Sequence, residues 1–143
     1  MSGSIPLLST KLDIPPGRPT LIARPRLTTR LTAGWTRPLT LICAPAGFGK
    51  TTLLTQWIAD ELPAALSSAD LSGQSGPRVA WLSLDADDND PVHFFTYLMA
   101  ALEKVNPGLC ATTSAMLSPA ELPALPMLAT YLLHDLSALD RPL

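Results

Sequence analysis

The sequence predicts an α/β protein in which a parallel sheet is flanked by helices, and three features carry that reading. Two short apolar runs, Leu39–Cys43 (LTLIC) and Val79–Leu84 (VAWLSL), have the length and the β-branched content of strands buried on both faces. Each run is followed by a segment whose apolar residues recur at helical spacing. The first run and its helix are joined by a loop with two glycines, Ala44–Lys50. Strand followed by helix, repeated, implies parallel strands joined by right-handed crossovers.

Taken in order, residues 1–25 read as an extended N-terminal arm, because Pro15, Pro16, Pro19 and Pro25 each fix φ and remove a backbone donor. Arg26–Gly34 predicts a short helix, with Leu27 and Leu31 one turn apart and Gly34 as its stop. Thr51–Glu61 predicts an amphipathic helix with Leu53, Leu54, Trp57 and Ile58 on one face. Pro63–Pro77 reads as an Ala/Ser/Gly-rich surface connection. Asp85–Asp90 is an acidic turn, and Asp90-Pro91 opens the next helix, with Asp suited to the N-cap and Pro to the first helical position. That helix carries Phe94, Phe95, Leu98, Met99 and Leu102 and ends before Asn106-Pro107-Gly108. Cys110–Pro123 is a loop or weak helix. Leu128, Leu132, Leu133, Leu136 and Leu139 predict a last helix over residues 125–139.

Bulk properties narrow the function classes. The 143 residues suffice for one domain with one core, and 47% hydrophobic against 15% charged residues argues for a packed chain. A formal charge of −2 gives no global basic field for DNA or an anionic membrane. Cys43 and Cys110 form neither a disulfide framework nor a metal cluster, and read as reduced thiols. The first residues lack a secretory pattern and no apolar stretch is long enough to span a bilayer, so the expected location is the cytoplasm.

The chemistry concentrates in Ala44-Pro45-Ala46-Gly47-Phe48-Gly49-Lys50-Thr51-Thr52. This is the phosphate-loop, or Walker A, pattern G-x-x-x-x-G-K-[ST], with Ala44 in place of the first glycine. Gly47 and Gly49 let the backbone turn sharply and bring N–H groups against phosphate oxygens. The amides of Gly47 to Thr51 and the start of the following helix favour an anion. Lys50 is expected to bridge the β- and γ-phosphates of ATP, Thr51 to ligate Mg²⁺, and Thr52 to bond the α-phosphate. Ala46 and Phe48 complete the cofactor-binding stretch. Ala44 is a handicap only if its position needs a positive φ.

Other groupings carry less. Asp85 is the acid directly after an apolar run. It reads either as a Mg²⁺- or water-positioning group or as a helix cap, and capping is preferred. Asp85, Asp87 and Asn89 begin a calcium-loop pattern that Asp90, Pro91 and Thr96 then break. His93 and His134 have no partners at metal-ligand spacing. Gly73-Gln74-Ser75-Gly76 resembles a nucleophile elbow only superficially. Arg24, Arg26 and Arg30 read as solvated charge, or else Arg24 or Arg26 frames the nucleotide. Trp57, Trp81, Phe94 and Phe95 read as core.

With these residues in view, the chain resembles the large LuxR-type, maltose-regulator-like transcriptional activators. The resemblance rests on Ile5–Leu12, Pro15-Pro16, Arg24–Leu27, Leu39–Leu54, Val79–Pro91 and Phe94–Leu98, in that order, and covers most of the chain. It implies a signal-transducing ATPase with an N-terminal nucleotide-binding module, self-association under control of nucleotide and inducer, and a C-terminal helix-turn-helix that binds DNA. It implies nucleotide contacts at Gly47, Gly49, Lys50, Thr51 and Thr52, and places Arg26 near the adenine. It also implies that residues 26–143 are a partial P-loop NTPase fold, ending before the Walker B strand, with DNA bound only through a domain outside this chain. Two alternatives stay open. One is a small P-loop phosphotransferase, which would need an arginine-rich lid, although the arginines beyond Pro63 are Arg78 and Arg141. The other is a fragment with no independent function.

Overall fold

The computed structural model describes residues 7–17, 22–68, 78–117 and 123–139. Its regular elements are helices: α1 (Ser9–Leu12), α2 (Pro25–Gly34), α3 (Lys50–Ser68), α4 (Pro91–Val105), α5 (Ala111–Met116) and α6 (Leu125–Ser137), with a 3₁₀ turn at Ala86–Asn89. The chain divides into two compact units, Ile14–Pro77 and Met1–Asp13 with Arg78–Leu143.

The expected parallel sheet is not there. Among the described residues there is no strand, and both apolar runs lie outside any regular element. A β-branched run favours an extended backbone, yet a sheet exists only where a neighbour supplies the other half of the hydrogen-bond ladder. Neither run has one. Leu39 and Leu41, expected to be buried on both faces, are 80% and 84% exposed. Around Ser83, the N–H donates to the Lys11 carbonyl of α1 (2.8 Å).

In the Ile14–Pro77 unit, α2 and α3 pack together. Pro25 occupies the first turn of α2, where its missing N–H costs nothing. Leu31 of α2 and Leu53 and Ile58 of α3 are buried, and Thr55 is buried beside them with its hydroxyl bonded to the Thr52 carbonyl. The Trp57 indole donates to the Thr32 hydroxyl (3.0 Å), which donates to Glu61 (2.9 Å), and Trp35 lies 5.1 Å from Trp57 between ring centres. The first helix thus lands where the sequence puts it. The second runs on through Pro63, where a connection was expected. A proline removes one helical bond, while Ala64, Ala65 and Leu66 are strong helix formers. The rest of that connection, Gly73–Gly76 included, lies outside the described residues.

The other unit is built on α4 and α6. Phe95, Met99 and Leu102 on one face of α4 meet Leu128 and Leu132 of α6 in a core closed by Leu109 and Cys110. Phe94 packs edge-on to Phe95, their ring centres 5.6 Å apart. Leu133 points away from this core and is 67% exposed, being about 100° round the helix from Leu132. Asp90 caps α4 by accepting from Val92 and His93 N–H groups, as its position before Pro91 predicts. At the other end, the Glu103 carboxylate accepts the N–H groups of Gly108 and Cys110 (both 2.6 Å). Within the weak helical segment, Thr113 is fully buried, and its N–H and hydroxyl both donate to Asp135 of α6 (2.8 and 2.7 Å).

Lys11 is a charged anchor that the spacing did not flag. It is 8% exposed, pairs with Asp88 (2.8 Å) and Asp85 (2.9 Å), and stands 4.5 Å above the Tyr97 ring. The Tyr97 hydroxyl in turn accepts the Leu8 N–H, and Lys104 pairs with Asp13. These contacts fasten residues 8–13 onto α4. The hydrogen bond to Asp88 raises the Lys11 pKa against the cost of its own desolvation, and holds the Asp88 carboxyl below its ordinary value.

Burial opposes the charge on Asp135, but the Thr113 hydrogen bonds outweigh it and hold that carboxyl low as well. Folded pKa values of Asp88 and Asp135 below the unfolded 3.8 mean a contribution present at neutral pH and lost as pH falls through the folded values. The denaturation midpoint is therefore expected to hold from about pH 7 to about pH 5 and to drop below about pH 4. Asp135→Asn is expected to cost about 1–3 kcal/mol at neutral pH and to flatten part of the acid decline; an unaltered midpoint and acid profile would contradict the Thr113 pairing. The thiols give a second check. Cys43 is exposed, whereas Cys110 is fully buried and its pKa is pushed up to about 11, chiefly by burial. An alkylating reagent at neutral pH should label Cys43 in the native chain and Cys110 only after denaturation; equal native labelling of both would refute the placement of Cys110.

Candidate phosphate-binding site

The stretch after Cys43 passes through a turn at Ala46-Gly47 and enters α3 at Lys50. The turn is made by the two glycines, with φ of 81° at Gly47 and 75° at Gly49, a conformation in which a Cβ would crowd the following carbonyl. No other described residue of the loop has a positive φ, so Ala44 in the first position is unstrained. Phe48, between the glycines, is 63% exposed.

Hydrogen bonding in the loop is lopsided. Its carbonyls are engaged: the Lys50 ammonium donates to Ala44 (2.6 Å) and Pro45 (2.9 Å), and Arg24 donates to Phe48 (3.4 Å). Its amides are not. Phe48 N–H makes a long bond to Pro45 (3.4 Å), and the first bond of α3 runs from Leu53 N–H to Gly49 (2.8 Å). The N–H groups of Gly47, Gly49, Lys50, Thr51 and Thr52 reach no acceptor among the described residues. Gly49 to Thr52 are the four donors a helix start leaves unsatisfied, joined by Gly47 from the turn before it. The Thr51 side chain is exposed, that of Thr52 is half-buried, and neither hydroxyl donates to another described residue. A cluster of unpaired amides at the positive end of a long helix, beside a lysine, has the donors and the field that favour an anion.

Charge adds to this. Six Lys and Arg residues stand against three Asp and Glu in Ile14–Pro77, an excess that the overall charge of −2 conceals. No carboxylate pairs with Arg24 or Lys50 among the described residues.

The structure gathers Ala46 to Thr52 into one loop-and-helix start. It puts Arg26 on the exposed side of α2, with no hydrogen bond to the loop among the described residues, and brings Arg24 there instead. Nothing in the spacing of Arg24 and Phe48 signals that meeting. Asp85 is committed elsewhere: its side chain caps the 3₁₀ turn, reciprocated by Asp88, and it pairs with Lys11. Among the described residues no group of three or more His, Cys, Asp or Glu is placed to hold a metal ion, and no helix is long and apolar enough to cross a membrane.

The chain is similar to HTH-type transcriptional regulators. They are MalT: the chain is 34% identical over 137 residues to MalT of Cronobacter sakazakii and 36% identical over 137 residues to that of Yersinia enterocolitica. MalT of Yersinia pestis gives 34% over the same length. Each match covers 96% of this chain and 14% of the regulator. The chain is thus a MalT-like segment that spans about one seventh of the length of the relatives it matches. No family model and no solved structure matches it.

The two left-handed glycines give a direct check. Gly49→Ala is expected to cost about 1–2 kcal/mol through backbone strain. Ala44→Gly removes no strain and is expected to cost no more than about 1 kcal/mol through added freedom of the unfolded chain. Denaturant titration of both variants measures this, and a Gly49→Ala chain as stable as the parent would contradict the loop conformation.

Proposed function

We propose that the chain is the N-terminal, ATP-binding segment of a MalT-like transcriptional regulator and serves as its nucleotide-dependent switch. The observation that carries this reading is the row of unpaired amides from Gly47 to Thr52, set after two left-handed glycines and next to Lys50. In the proposal those N–H groups take the phosphate oxygens. Lys50 exchanges the carbonyls of Ala44 and Pro45 for the β- and γ-phosphates, as a compact charge with three donors can. The Thr51 hydroxyl serves Mg²⁺, and Thr52 serves the α-phosphate. A bound Mg²⁺ would neutralise phosphate charge. Arg26 is the proposed contact to the base, on the resemblance alone.

The full regulator is proposed to work in the cytoplasm, to self-associate under nucleotide control and to bind DNA through a helix-turn-helix outside this segment. The relatives' description as HTH-type regulators supports the last point. No hydrolytic group is assigned, because the acid that follows an apolar run, Asp85, is occupied by Lys11 and by its capping role.

Thermal melting with and without Mg-ATP tests the reading. Saturation at about 100 times the dissociation constant adds about 2.7 kcal/mol, which shifts the midpoint of a chain this size by several degrees. Lys50→Ala is expected to remove that shift. A parent chain with no shift, or a Lys50→Ala chain with the parent's shift, would refute the site.

A further inference from the structure

Arg24 lies outside the Gly-Lys-Thr stretch, yet its guanidinium touches the loop at one well-defined place. Nη1 donates to the Phe48 carbonyl (3.4 Å), and a Cβ built on Gly49 would lie 3.8 and 3.9 Å from Nη2 and Nη1. The guanidinium therefore covers the Phe48–Gly49 peptide. That peptide is trans, as are all those described, so its C=O and N–H point in opposite directions. Drawing the Phe48 oxygen toward Arg24 turns the Gly49 N–H away from Arg24.

The same contact affects the helix. Were α3 to wind back one residue, the Phe48 carbonyl would accept from Thr52 N–H by the ordinary i to i−4 rule. With that carbonyl bonded to Arg24 and Gly49 at φ 75°, the first helical bond is Leu53 to Gly49, and the Thr52 N–H is left without an acceptor among the described residues. One side chain thus sets the direction of the Gly49 amide and keeps the Thr52 amide available.

We infer that Arg24 is a positioning residue for the phosphate loop, acting through the Phe48–Gly49 peptide. The inference rests on the reading of the loop as a phosphate site. Its role differs from that of an exposed charge in the same unit with no hydrogen bond to the loop among the described residues, such as Arg30 of α2. Truncating Arg24 does not dismantle α2, because the helix start uses the Arg24 carbonyl, bonded to the N–H groups of Leu27 and Thr28, and no side-chain cap.

The test compares Arg24→Ala with Arg30→Ala in the full chain, by two readouts. The first needs no nucleotide: the ¹⁵N–¹H amide signals of Gly49 and Thr52. Arg24→Ala is expected to shift both signals and to slow hydrogen exchange at Thr52 as that amide gains the freed Phe48 carbonyl, and Arg30→Ala to leave them in place. The second is Mg-ATP affinity by calorimetry, where Arg24→Ala is expected to weaken binding on the order of tenfold and Arg30→Ala by about twofold at most. Equal losses in the two variants would reduce Arg24 to net charge and overturn the inference, as would unmoved Gly49 and Thr52 signals. A parent chain that binds no Mg-ATP would sink the phosphate reading instead, while the amide signals would still decide whether Arg24 orients the peptide.

Discussion

Peptide geometry at Gly47 and Gly49 governs the rest of the candidate site. A trans peptide offers its oxygen on one side and its N–H on the other, so a loop whose carbonyls are drawn to cations presents its amides opposite. Lys50 and Arg24 draw the carbonyls of Ala44, Pro45 and Phe48. The left-handed φ values at the two glycines make that arrangement sterically open. Without the glycines the stretch would join α3, and its amides would be spent on helical bonds.

The two units solve the problem of buried polarity differently. In the α4–α6 unit, charges placed near the core are fully partnered: Asp135 by Thr113, Lys11 by Asp85 and Asp88, and Glu103 by two backbone amides. No buried side-chain nitrogen or oxygen among the described residues lacks a hydrogen bond. In the Ile14–Pro77 unit the unsatisfied donors are on the backbone and gathered at one helix start. Unpaired donors are costly when they are dry, and these lie in a largely exposed loop where water or an anion can take them.

Similarity to MalT and the loop geometry are separate observations. The first comes from 96% of the chain and says which regulators it is related to. The second comes from backbone angles and hydrogen bonds and describes the loop on which the phosphate proposal rests. Unpaired apolar surface at Leu39 and Leu41 stands next to that site, and the chain spans only 14% of its relatives' length.

Much of this protein was written locally. Asp90-Pro91 fixed the start of α4, the spacing of Phe95, Met99 and Leu102 fixed its buried face, and two glycines before a lysine fixed the loop, because each signal acts over a few residues of backbone. The sheet failed for the opposite reason: LTLIC and VAWLSL favour a strand locally, but strand pairing depends on a neighbour that no single run encodes. Tertiary structure alone decided that Arg24 rather than Arg26 reaches Phe48, that Lys11 sits between Asp85 and Asp88, and that Thr113 meets Asp135. Those partners are 22 to 77 residues apart in the chain, a separation across which no local pattern of residue types carries information.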